Sequence, residues 1–117
     1  MEIINIFGFS FYTGNIIAHL LSDYRISPCQ ACDACQIDDD MVRIYEDLSD
    51  CDALIVGTPV YYRNVSAQLK AVFDRTYALR SARPLVGRYG GAIAVGRGMG
   101  GGQSIALTVI YNFFPRV

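Results

Sequence analysis

Ala53-Leu54-Ile55-Val56-Gly57-Thr58-Pro59-Val60-Tyr61-Tyr62-Arg63-Asn64-Val65-Ser66 changes character twice. Its first four residues are apolar and partly β-branched, the composition of a buried strand. From Ser66 the pattern becomes helical, with Leu69, Val72 and Phe73 on one face and Ser66 placed to cap the helix. Between the two lies a strand-to-helix loop, the usual ligand position in an α/β domain. Pro59 stiffens that loop, Gly57 permits a close backbone approach, and Tyr61 and Tyr62 offer flat surface. The combination suits a planar cofactor.

Toward the carboxyl end the pattern repeats. Gly90–Val95 reads as a strand of small apolar residues, Gly96–Gln103 as a glycine-rich loop, and 104–114 as an apolar helix. So many glycines suit a backbone passing close to something flat or anionic, and equally a flexible connector. Toward the amino end, Ile3–Phe7 reads as a first strand. The loop 9–15 follows, and then a helix with Ile17, Leu20, Leu21 and Tyr24 on one face. The hydroxyls and backbone N–H groups of that loop suit a phosphate at a helix start, and they suit an ordinary turn and cap as well.

Cys29, Cys32 and Cys35 form a C-x2-C-x2-C run, a spacing at which three thiolates can converge on a metal centre. A cubane cluster normally takes a fourth thiolate. Cys51 precedes a buried strand and reads as a small core residue, so packing without metal stays open. Asp38-Asp39-Asp40 precedes the helical spacing of Met41, Ile44, Tyr45 and Leu48 and is read as a helix cap rather than a cation site. Lys70, Asp74 and Arg75 are read as solvated charges on the helix after Ser66. His19 has no evident partner and is read as structural.

The 117 residues form a single expected domain spanning 1–117. A net charge of −1 and the lack of a basic patch argue against nucleic acid. No apolar run reaches membrane-spanning length, and the amino terminus lacks a signal-peptide pattern. The expected location is therefore cytoplasmic, with the cysteines as thiols or metal ligands.

Pro28–Cys35, Asp39-Asp40-Met41, Gly57–Tyr62, Asn64–Lys70 and Phe73-Asp74-Arg75 together resemble the NAD(P)H-dependent FMN reductase family, and within it the iron–sulfur flavoproteins. Gly96–Gln103 resembles that family too. The resemblance implies an α/β, flavodoxin-like three-layer sandwich on a parallel sheet. Here it is shortened, with a stub for the second strand and the fifth strand missing. It also implies FMN at the carboxyl ends of the strands. Ser10, Tyr12, Thr13, Gly14 and Asn15 would hold the phosphate. Thr58, Pro59, Val60, Tyr61, Tyr62 and Asn64 would line the ring, and Gly96, Arg97, Gly98 and Gly101 would close over its other edge. The implied activity is an oxidoreductase passing electrons from NAD(P)H through FMN to an acceptor. Most of that chemistry belongs to the flavin, so no catalytic acid–base pair is expected. The alternatives are an FMN electron-transfer protein, with or without an iron–sulfur cluster on Cys29, Cys32 and Cys35, and a non-catalytic remnant. The sequence departs from the family at Phe9, Phe11 and Ile16, where a serine, an arginine and a threonine are usual. It departs again after Cys35, where Gln36-Ile37-Asp38 replace a fourth cysteine. An apolar edge strand at Gly90–Val95 points to a homo-oligomer. A redox partner protein is a further expectation.

Overall fold

The computed structural model describes residues 5–9, 14–98 and 100–116. Within them the chain forms β1 (Asn5–Phe9), β2 (Ile16–Leu20), α1 (Met41–Asp50), β3 (Ala53–Pro59), α2 (Ala67–Arg75), β4 (Tyr89–Val95) and α3 (Gln103–Phe113). The central strand, the Ser66 helix, the glycine-flanked strand and the last helix all lie where the patterns place them.

The strands form one sheet in the order β2-β1-β3-β4. β3 and β4 are parallel, in register from Ala53 opposite Tyr89 to Pro59 opposite Val95. β1 runs antiparallel to both its neighbours, with Phe9 opposite Ala53 on one side and Ile16 on the other. The sheet is therefore mixed, and only its β3–β4 half is the parallel sheet expected.

The segment after Gly14 corrects the sequence reading most clearly. A helix was expected there, and the chain forms β2 followed by a 3-10 turn at Leu21–Asp23. Ile16 and Ile17 are β-branched and lose less side-chain freedom in a strand than in a helix. Pairing with β1 also satisfies the backbone of a segment too short to hold a helix alone. The apolar set splits accordingly: Leu21 is buried, and Ile16 and Ile17 are exposed.

Alternation along β3 decides which face holds the core. Leu54, Val56 and Thr58 are buried, whereas Ile55 between them is exposed. Against the buried side pack Met41, Ile44 and Leu48 of α1, Leu69 and Val72 of α2, and Ala106 and Ile110 of α3. Each large apolar side chain removed from water there contributes about 1.5–3 kcal/mol. Phe73 stacks on Phe113 with ring centroids 4.0 Å apart, tying α2 to α3. On the opposite face Ile16, Ile55, Tyr89 and Ile93 are exposed. The described residues thus form two layers, with helices on one face of the sheet.

His19, read as unpartnered, is buried between β2 and α1. Its Nδ1 lies 2.7 Å from the Tyr24 hydroxyl. Its Nε2 lies 2.8 Å from Asp47 Oδ2, off the line of a hydrogen bond. Among the described residues no helix is long and apolar enough to cross a membrane.

Candidate functional site

Where β3 ends, the chain makes a tight reversal. The Tyr61 and Asn64 backbones exchange two hydrogen bonds, N–H of each to carbonyl of the other, at 3.1 and 3.0 Å. The two residues between them, Tyr62 at φ +48° and Arg63 at φ +63°, are both left-handed. This is the backbone of a type I′ turn, which usually carries Asn-Gly because side chains there clash with the main chain. A bulky pair in that conformation stores strain of the kind found at functional sites. The turn puts the Tyr62 ring entirely in solvent and leaves Tyr61 more than half exposed.

The turn is anchored from beneath. Thr58 is fully buried; its hydroxyl donates to the Pro59 carbonyl at 2.8 Å and accepts from the Ser66 N–H at 3.1 Å. Ser66 in turn caps α2, its Oγ accepting from the Leu69 N–H at 3.2 Å. Asn64 Oδ1 accepts from the Val65 N–H at 2.8 Å. Thr58 and the Asn64 carbonyl oxygen therefore position the loop, and Pro59, Val60, Tyr61 and Tyr62 form its surface.

The glycine-rich loop meets this turn directly. The Val60 N–H donates to the Val95 carbonyl at 2.8 Å, so the two loops leave the sheet side by side. A Cβ on Gly102 would lie 2.4 Å from Arg63 Cα, a distance no side chain tolerates. Gly102 is also left-handed, at φ +100°. Gln103 Nε2 donates to the Gly98 carbonyl at 2.8 Å and pins the loop across its base. Gly96 is half-buried, and Arg97, Gly98 and Gly101 are exposed along the same edge. Close packing thus accounts for Gly102, whereas Gly98 and Gly100 have open space around them.

The described end of the first loop, Gly14 and Asn15, lies away from the other two loops. Because β1 is antiparallel, its Phe9 end pairs with Ala53, at the start of β3. Ile16 is also at that end. Gly14 and Asn15 therefore lie at the edge of the sheet opposite Pro59 and Val95, and among the described residues two of the three expected loops converge. Ser10, Tyr12 and Thr13 lie outside the described residues.

The cysteine loop lies elsewhere, between the Leu21–Asp23 turn and α1, and its organiser is a residue read as a solvated charge. Arg75 is 2% exposed. Its Nη1 and Nη2 donate to the two oxygens of Asp39 at 2.7 and 3.0 Å, and Nη1 also reaches the Ser27 carbonyl at 2.9 Å. Its Nε donates to Cys35 Sγ at 3.1 Å. Asp39 Oδ2 accepts from the Ser27 N–H at 2.8 Å and Oδ1 from the Met41 N–H at 3.0 Å. One buried ion pair therefore fastens both ends of the loop and one thiol inside it. The signal was present in the sequence: Arg75 follows Leu69 and Val72 on the stripe that faces the core. By contrast Lys70 and Asp74 are exposed, as expected, and pair with each other.

These charges shift one another. Hydrogen bonds from Arg75 outweigh burial and hold the Asp39 carboxyl at about 2. Burial pushes the Cys35 thiol up, but hydrogen bonding with Tyr45, the Ile37 backbone and Arg75 more than offsets it, and the net direction is down. Burial and the facing Cys35 raise the Tyr45 hydroxyl to about 12. That hydroxyl donates to the Arg75 carbonyl at 2.8 Å.

Three cysteines of this loop supply at most three of the four thiolates a cubane cluster normally takes. Cys29, Cys32 and Cys35 line a cavity of about 10 Å³, room for roughly one water molecule. Cys51 is buried at the end of α1, its Sγ donating to the Leu48 carbonyl at 3.6 Å, and supplies no fourth ligand. Among the described residues no three His, Cys, Asp or Glu side chains are grouped so as to hold a metal ion.

A site built where adjacent parallel strands end, between a tyrosine turn and a glycine loop, defines an α/β cofactor-binding domain. The chain belongs to the NADPH-dependent FMN reductase family, which it matches over residues 13–114. That family has a flavodoxin-like fold. The chain is 45% identical over 103 residues to an iron–sulfur flavoprotein of Methanocaldococcus jannaschii, covering 80% of this chain and 52% of that protein. It is 46% identical over 98 residues to an iron–sulfur flavoprotein of Archaeoglobus fulgidus, covering 77% and 50%. An NAD(P)H dehydrogenase (quinone) of Chromohalobacter salexigens is 35% identical over 65 residues, covering 56% and 32%. The chain spans about half the length of the iron–sulfur flavoproteins it matches.

Proposed function

We propose that this chain carries the ring-binding part of an FMN site and passes electrons from NAD(P)H through the flavin to an acceptor. The observation that carries this reading is the contact between the two loops at the carboxyl ends of β3 and β4, where Gly102 abuts Arg63 beside two exposed tyrosines. Tyr61 and Tyr62 would stack on the isoalloxazine, and Pro59 and Val60 would hold the turn at a fixed height. Gly96–Gly101 would pass along the other edge of the ring, with Arg97 at its rim. Bound flavin supplies the hydride and electron chemistry, and the protein's residues bind, orient and shield it. Tyr62 stands free of the protein, so the ring face it leaves uncovered is open to a nicotinamide.

The likeness to iron–sulfur flavoproteins and to a quinone-reducing NAD(P)H dehydrogenase supports a redox role. The exposed sheet face, with Ile16, Ile55, Tyr89 and Ile93, supports a covering third layer or a second copy of the chain. An FMN carrier without a nicotinamide reaction is the second reading, supported by the likeness to iron–sulfur flavoproteins. Absorbance of purified protein with FMN, before and after NADH or NADPH, separates the two. Bleaching of the flavin band supports the reductase, and an unbleached band supports the carrier. Failure to take up FMN contradicts both.

A further inference from the structure

We propose that the groove between α2 and α3 is a second ligand site, one that takes a small planar aromatic carboxylate. The proposal stands apart from the flavin reading. The tyrosine turn and the glycine loop lead into the first turns of these helices, whereas the groove opens along their later turns. It spans about 620 Å³, within the range of small-molecule sites. Phe73 of α2 and Phe113 of α3 stack there with centroids 4.0 Å apart and planes 15° apart, and Val109 continues the apolar floor. Such a floor suits a flat apolar ring. Tyr77 and Arg80 form one wall, with the guanidinium carbon 4.3 Å from the tyrosine ring centroid. Stacking of this kind holds the cation flat and in place.

The charge on the walls decides the ligand class. Lys70 and Arg80 line the groove against a single carboxylate, Asp74, and that carboxylate pairs with Lys70. Arg80 has no such match. Its Nη1 donates to the Asp33 and Tyr77 carbonyls, each at 3.2 Å, and its Nη2 reaches Asp33 Oδ1 at 3.3 Å. The Asp33 side chain is 83% exposed, and a long pair at such a position contributes little. Arg80 Nε makes no hydrogen bond among the described residues, nor does the Asn112 amide on the α3 side of the groove. Arg80 therefore supplies a charge and an open donor edge for a carboxylate, and Asn112 supplies a further donor. The attached ring lies on Phe73, Phe113 and Val109. A second negative charge on the ligand would meet Asp74, which limits the class to monocarboxylates.

Titration of isotope-labelled protein with naphthalene-2-carboxylate, followed by backbone amide chemical shifts, tests the assignment. Saturable shifts are expected in residues 70–80 and 109–113, and not at Ile55 and Ile93 on the open sheet face. Naphthalene-2-carboxamide, the same ring without the charge, is expected to bind at least about five-fold more weakly, the difference between a charged and a neutral hydrogen bond. Arg80→Gln is expected to bring acid and amide to equal affinity. Asn112→Asp, which adds a like charge to the rim, is expected to weaken the acid alone. Both positions are exposed. Should either variant fail to fold, the comparison of acid with amide in the wild type still decides. Equal affinity for acid and amide in the wild type, shifts centred on the sheet face, or no saturation overturns the proposal. FMN added to the naphthalene-2-carboxylate complex is expected to leave these shifts in place. Displacement by FMN would make the groove a flavin site and overturns the proposal as well.

Discussion

Arg75 and Asp39, 36 residues apart, form a two-pronged ion pair at 2.7 and 3.0 Å with side chains 1% and 7% exposed. It joins the end of α2 to the start of α1 and closes the cysteine loop between them. Removing one partner strands a buried charge, which typically costs about 3–5 kcal/mol. Asp39→Asn is expected to destabilise the fold by that order, measured as a lower urea midpoint at unchanged slope. A change within about 0.5 kcal/mol would show the pair to be decorative.

The same pair sets an acid limit. The carboxyl of Asp39 is depressed from 3.8 to about 2 in the folded chain, so its contribution is complete above the unfolded value and is lost as pH falls through the folded one. The shift corresponds to about 2 kcal/mol. Stability measured by urea titration should fall between about pH 4 and pH 2. In Asp39→Asn that portion of the fall should be missing.

The strained turn gives a prediction of opposite sign. Arg63, at φ +63°, has the conformation that glycine adopts without penalty. Arg63→Gly is expected to raise stability by about 0.5–1 kcal/mol, despite the usual cost of glycine, read as a higher thermal midpoint. A lower midpoint would mean that the arginine makes contacts worth more than the strain.

Thr58 links strand, turn and helix through one hydroxyl. Thr58→Val keeps the shape and leaves the buried Ser66 N–H without its acceptor, at a cost of about 1–3 kcal/mol. Weaker FMN binding should accompany the loss, because the same hydroxyl bonds to Pro59 at the foot of the tyrosine turn. Unaltered stability in thermal melts would remove Thr58 from its anchoring role.

The sequence made the β3–α2 and β4–α3 units legible because each carries its own period: a short apolar run, then Gly or Pro, then a helical stripe, capped by Ser66 in the first unit. Ser66 announced its helix as the cap immediately before Ala67. The amino-terminal segment was misread because Ile17, Leu20, Leu21 and Tyr24 satisfy helical spacing, while β-branching at Ile16 and Ile17 and pairing with β1 decide for a strand. That choice reverses β1 and carries Gly14 and Asn15 away from the other two loops, which local pattern cannot reveal. Arg75 was missed for a different reason. A charged residue on a helix is usually solvated, and its partners Asp39 and Cys35 are distant in sequence. His19 was read as structural, but its partners were not legible, since Asp47 and Tyr24 approach it only after β2 meets α1.

The central claim is that the tyrosine turn and the glycine loop together hold the flavin ring. Titration of FMN into wild-type and Gly102→Ala protein, followed by the flavin absorbance shift, tests it most directly. A Cβ at residue 102 must push the Arg63 backbone aside, because it would lie 2.4 Å from Arg63 Cα. The account predicts saturable binding to the wild type and at least ten-fold weaker binding to Gly102→Ala, a loss of about 1.4 kcal/mol or more. Equal affinity in the two proteins, with Gly102→Ala shown to be folded by circular dichroism, would contradict it.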